Sequence, residues 1–189
     1  VYQGFQTGRL TYTYYNDVNG DGISSDIMYI PINRYELEFA DYKGMTAVEQ
    51  RDAFWNYVNN NDYLKSRMGK YAERFGDLEP WLHRFDAKIL QDIYSNFGTS
   101  RKYTLQVSID LLNAGNLIND KWGTYTLNPL ANYDNVRPLR VATKGDGNSK
   151  PVYTLNASSL SEFESNTVLS KDLTTASTWG CLLGLRLIF

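Results

Sequence analysis

The chain has 189 residues, with 19 Lys plus Arg against 21 Asp plus Glu and a formal net charge of −2, so it lacks the strongly basic footprint that nucleic-acid binding calls for. One cysteine (Cys181) excludes an internal disulfide and any multi-cysteine metal site, and one histidine (His83) excludes a two-histidine zinc site. The length suits one domain with a sizeable core, or part of something larger.

Tyr (15), Phe (8) and Trp (4) make up 14% of the chain, an excess that favours β structure. No run of about 18 apolar residues is present to form a transmembrane helix, which leaves a membrane barrel open because barrel strands alternate instead. Val1 and Tyr2 already read as structure, with no signal peptide before them, so the chain is expected to be a fragment of a larger protein.

Residues 1–15 are rich in strand formers, and Leu10 to Tyr15 (LTYTYY) reads as a strand. A polar, turn-forming cluster at 16–26 leads to a short apolar stretch, Ile27 to Ile30, which Pro31 ends. Thr46 and Glu49 stand in capping-box spacing and predict a helix over 46–58. Its narrow apolar face gathers Ala47, Arg51, Phe54 and Val58, and Asn59-Asn60-Asn61 stops it. That is the pattern of a surface helix packed on the rest of the protein, and residues 62–80 add a short helical turn and a loop.

From Trp81 the period changes to two. Trp81, His83, Phe85, Ala87, Ile89, Gln91 and Ile93 make one row; Leu82, Arg84, Asp86, Lys88, Leu90, Asp92 and Tyr94 make the other. After a polar turn at 95–102, Tyr103, Leu105, Val107, Ile109 and Leu111 alternate with Thr104, Gln106, Ser108 and Asp110, completing an antiparallel hairpin over 81–112. Residues 113–177 form a long, weakly patterned stretch with a turn at 144–150 and one small strand candidate at 151–155. The last strand, 178–189, alternates strictly: Trp179, Cys181, Leu183, Leu185, Leu187 and Phe189 against Gly180, Leu182, Gly184, Arg186 and Ile188. Cys181 in that apolar row reads as a small buried hydrophobe. His83, between Trp81 and Phe85, reads as a packed or interfacial side chain and not a catalytic one.

Several phrases resemble one family: GFQTGRLTYTYYNDVNGDG (4–22), DIMYIP (26–31), WLHRFDAKILQDI (81–93), LLNAGNLINDKWG (111–123) and WGCLLGLRLIF (179–189). Together they are similar to the carboxy-terminal portion of Bacteroidetes TonB-dependent outer-membrane receptors, including SusC-like relatives and those with a carboxypeptidase-regulatory-like domain. The last phrase also resembles the terminal barrel-assembly signal of outer-membrane proteins, carried here by Trp179, Leu183, Gly184, Leu185, Leu187 and Phe189. The resemblance implies a mainly β fold, an antiparallel transmembrane β-barrel segment with long extracellular loops and one short surface helix near 46–58. In that scheme 1–80 is a strand end plus an external loop, 81–112 a β-hairpin, 113–177 a second external loop and 178–189 the terminal strand. Arg84, Asp86, Lys88 and Asp110 would face the lumen.

The implied work is uptake of a scarce ligand across the bacterial outer membrane. The implied partners are the remaining amino-terminal barrel strands and plug of the same protein, the TonB system acting through the plug, the barrel-assembly machinery and a surface lipoprotein. No nucleic acid is expected. No Gly-rich phosphate loop, nucleophile elbow or spaced carboxylate pair supports an enzyme, and no cofactor is required.

Calcium is the one metal with a motif behind it. Asp17, Asn19 and Asp21 in DVNGDGISSD follow the D-x-N-x-D-G opening of a calcium loop, but Met28 replaces the twelfth-position Glu and Asp26 falls at the tenth. A shortened calcium loop closed by Asp26, or an Asx-rich turn without metal, uses the same residues. The alternative reading of the whole chain is a soluble all-β calcium-dependent binding module.

Overall fold

The computed structural model describes residues 1–6, 8–96, 102–145, 149–171 and 174–188, with the side chains of 94–96, 102 and 103 set aside. The chain is mainly β with few helices, and it divides into two compact units. Among the described residues no sheet closes on itself. Phe189 and most of the turn expected at 95–102 lie outside the described residues.

The first unit combines Val1–Thr7, Pro80–Thr126 and Lys171–Phe189. The strict alternation of its sequence is realised as three long antiparallel strands in the order Gly180–Ile188, Lys102–Leu112, Ala87–Asn96. Trp81–Phe85 runs ahead of the last of these, interrupted only at Asp86, and pairs antiparallel with Tyr2–Gln6. Past Leu112 the chain turns on Asn113, at a φ of 50°, into the short helix Ala114–Ile118. The Asn113 amide donates to Gly123 O at 2.9 Å. Gly123 itself is at φ 61°, and a Cβ there would collide with the Asn113 side chain, so only glycine fits.

The second unit combines Gly8–Glu79 and Leu127–Ser170, two stretches far apart in sequence. Its sheets are small. Arg9–Tyr12 lies between Asn135–Val136, which it pairs in parallel, and Asp77–Leu78. Val152–Leu155 lies between Leu139–Thr143 and Glu38–Phe39, and Tyr29–Ile30 pairs with Lys70–Tyr71. Thus the weakly patterned stretch after 113 supplies strands and the helix Leu160–Asn166 to a common interior with residues of the first stretch. Tyr12, Met28, Ile30, Phe54, Leu64, Val136, Leu139, Leu155 and Phe163 are buried in that interior.

The helix is Ala47–Asn60, with the Thr46–Glu49 capping box formed in both directions. Its buried face is Gln50, Phe54, Tyr57 and Val58, which corrects the face expected around Ala47 and Arg51. Gln50 is polar but fully buried because it is fully answered. Its amide nitrogen donates to Ala40 O at 2.7 Å and Met45 O at 3.2 Å, and its amide oxygen accepts from Leu155 N at 3.0 Å. That single side chain ties the two stretches of the unit together.

Candidate functional site

The long sheet of the first unit has one nearly uniform apolar face and one mixed face. Register sets Ile89, Ile109 and Leu183 in one rung, Gln91, Val107 and Leu185 in the next, and Ile93, Leu105 and Leu187 in a third. Ala87, Leu111 and Cys181 complete that face at its other end. Only Gln91 is polar among these twelve positions. The face is not covered: Leu183 is 78% and Leu185 77% exposed. Cys181 is likewise exposed, a correction to the buried position expected for it, since no described residue covers its row.

The opposite face is mixed: Leu90, Leu112, Leu182 and Ile188 stand on it among charged and polar side chains, several of which pair with one another. Lys88 and Asp110, directly opposed in register, form an ion pair at 3.0 Å. Gln106 donates to Asp92 at 2.9 Å. Arg84 meets Asp86 at 3.1 Å, and Asp86 also accepts the Asn113 N–H at 2.7 Å. So three of the four charges expected on one row, Arg84, Asp86 and Lys88, are paired, as is Asp110 across the sheet. Gly184 belongs to this face, opposite Ser108, where a Cβ would come within 2.5 Å of the serine hydroxyl.

At one end of the apolar row the side chains become amphipathic. The Tyr2 hydroxyl lies 2.6 Å from His83 Nδ1. The His83 ring stacks with Tyr2 and with Trp81, each at 6.1 Å between centroids. A cleft of about 380 Å³ opens beside them, with Trp122 on its wall. Trp179 is also exposed, just before the last strand. His83 is therefore a stacked, hydrogen-bonded member of an aromatic cluster, held by the pairing of Gly4 with His83.

In the second unit, the loop at 17–26 is organised by carboxylates that accept backbone N–H groups. Asp17 accepts from Asn19, Gly20 and Gly22 at 3.1, 2.6 and 3.0 Å, and the Lys144 ammonium sits 2.7 Å from it. Lys144 is the main reason that the Asp17 carboxyl is held down at about 2, with the Gly20 and Gly22 N–H groups adding to it. Asp21 accepts from Ile23, and Asp26 from Val18 at 2.9 Å. The Asn19 amide reaches Asp21 at 3.2 Å and Asp26 at 3.5 Å.

These are donors turned toward oxygens, the arrangement of an Asx turn network, and Lys144 supplies beside Asp17 the positive charge that a calcium ion would bring. Among the described residues no three or more His, Cys, Asp or Glu side chains are grouped to hold a metal. A cleft of about 740 Å³ adjoins the loop, with Asp26, Tyr29, Glu36, Glu38 and Tyr71 on its walls.

The contribution of Lys144, 127 residues from Asp17 in sequence, carries no local signal by which sequence could have found it. Comparison with family models, curated proteins and solved structures gives no match to this chain.

Proposed function

We propose that the chain is part of a TonB-dependent receptor of the bacterial outer membrane, its first unit a length of barrel wall and its second an external unit built from two loops. The observation that carries this reading is the exposed face across three antiparallel strands, apolar but for Gln91, backed by a mixed face on which Lys88 and Asp110 are ion-paired. Strands of 10, 11 and 9 residues match the roughly 9–11 residues that a tilted strand needs to cross the hydrocarbon layer. An apolar outer row and an aromatic cluster at its end are features of a transmembrane barrel strand, and the ion-paired charges of the mixed inner row suit a lumen. Arg84, Asp86, Lys88 and Asp110 then line the lumen, and Trp179 through Leu187 form the strand offered to the assembly machinery. The remaining strands, the plug and the TonB system stand as partners in the same reading, which involves no enzymatic step.

Reconstitution of the full chain into vesicles of brominated-chain lipid tests it. In single-tryptophan variants, Trp81 and Trp179 fluorescence is expected to be quenched by the bromine, while Trp55, which belongs to the second unit, is not. Recovery of the chain from water without detergent, with no quenching at either position, overturns the proposal in favour of a soluble β-rich binding module.

A further inference from the structure

In the second unit two arginines converge on one aromatic ring. The guanidinium carbons of Arg137 and Arg140 lie 6.0 and 4.6 Å from the centroid of the Tyr15 ring. The backbone explains the placement of the closer one. Arg140 is the bridge partner of Tyr15 on one side and the register partner of Thr154 on the other. Directly opposed residues share a face of the sheet, so Tyr15, Arg140 and Thr154 form a single rung. The flanking residues Leu139 and Val141 are buried in the interior, which turns Arg140 away from it. Tyr15 N–H donates to Leu139 O at 2.8 Å and Val141 N–H to Tyr15 O at 3.1 Å, pinning the rung on both sides.

The polarity of this cluster is unanswered. Both arginines are half-buried, and the Nε of each is buried with no hydrogen-bond partner among the described residues. Thr154 is 2% exposed, and its hydroxyl is likewise buried without a partner. Neither arginine has a carboxylate within ion-pair distance among the described residues. Asp17, two residues from Tyr15, is already committed to Lys144 and to three backbone N–H groups. A half-buried guanidinium has shed part of its water while keeping five N–H donors. Two of them beside one ring also repel each other, and the π face of Tyr15 offsets that only in part.

We propose that Arg137, Arg140 and Tyr15 form a binding site for an oxyanion group of an external ligand, a carboxylate, sulfate or phosphate. Such a group supplies the acceptors and the negative charge that the cluster lacks, and the planar guanidinium fork matches it in bidentate fashion. The partly exposed Tyr15 ring leaves the site open to a ligand from outside. The site lies wholly within the second unit, so it stands or falls separately from the membrane reading of the first.

The test uses the full chain and three probes, sodium phosphate, sulfate and acetate, against sodium chloride at matched ionic strength. One saturable site is expected by calorimetry, and the preferred probe raises the melting temperature above the chloride control. R140Q and R137Q are each expected to weaken that affinity about tenfold or more, and R140K, which keeps the charge but loses the fork, to fall between R140Q and the wild type. Should R137Q/R140Q fail to fold, R140K alone decides, because it preserves net charge. An equal thermal shift with chloride, an absence of saturable binding, or wild-type affinity in R140K and R140Q overturns the proposal. The rank order of the three probes identifies the class of oxyanion.

Discussion

The two units use similar strand-rich sequence to opposite ends. In the second, the large apolar side chains, Tyr12, Met28, Phe54 and Leu155 among them, are turned inward and all but lost to solvent. In the first, Leu183, Leu185, Leu187, Ile89 and Ile93 stand exposed on one face while the ion pairs occupy the other. Amphipathic alternation specifies that a strand has two faces, not which solvent each one meets. Exposed apolar surface of this extent marks contact with another protein, with a membrane or with the rest of a larger fold. The difference between the units is therefore one of packing: the second unit buries its apolar side chains in its own interior, and the first leaves an apolar face exposed among the described residues.

That contrast can be broken by mutation. Phe54→Ala removes a side chain 2% exposed in the interior of the second unit and is expected to cost about 3–5 kcal/mol. Denaturant unfolding followed by fluorescence should show the loss equally in lipid and in detergent-free buffer, because that interior needs neither. Leu185→Arg is expected to cost about 2–4 kcal/mol when the position lies near the bilayer midplane. In water, where Leu185 is already exposed, the same change should stay within about 0.5 kcal/mol. A Leu185→Arg penalty that does not depend on lipid would erase the distinction between the units.

The two units also differ in how much of each could be read from the sequence. The first was legible because its strands are long and each declares itself. Tyr103 to Leu111 alternates, and a strand spans Lys102–Leu112; the terminal phrase alternates, and a strand spans Gly180–Ile188. The second has strands of two to five residues, too short to show a period, and its defining pairs join Val136 to Tyr12 and Tyr153 to Phe39. Register across such separations leaves no local trace. The helix was visible through its cap, but its buried face was not, because Gln50 is buried by partners at Ala40, Met45 and Leu155 and not by its own hydrophobicity. The candidate sites divide the same way. Asp17, Asn19, Asp21 and Asp26 declared a carboxylate loop, while Lys144 beside Asp17, and Arg137 and Arg140 beside Tyr15, come together only through tertiary pairing.

The smallest expected effect is a pH dependence belonging to the second unit. Lys144 first, then the Gly20 and Gly22 N–H groups, hold the Asp17 carboxyl at about 2. The Tyr29 hydroxyl and the Ile32 N–H lower Glu36, and the Thr46 N–H and hydroxyl lower Glu49. For a carboxyl lowered by folding, the unfolded chain binds the proton more tightly, so the stability it contributes is complete above the ordinary carboxylate range near about 4. It is lost as pH falls toward about 2. Burial acts in the other direction on Tyr57, pushing it up to about 12. That contribution is intact below about 10 and is lost as pH rises through the higher value. The signal of Trp55, next to the buried Phe54, should report the acid limb. In Lys144→Gln, Asp17 loses its principal anchor, its carboxyl returns toward the ordinary range, and the acid limb ends at a higher pH with a smaller amplitude. An acid limb unchanged by Lys144→Gln would mean that the backbone N–H groups alone hold Asp17, and that the ion pair joining residues 17 and 144 contributes nothing to the stability of the loop.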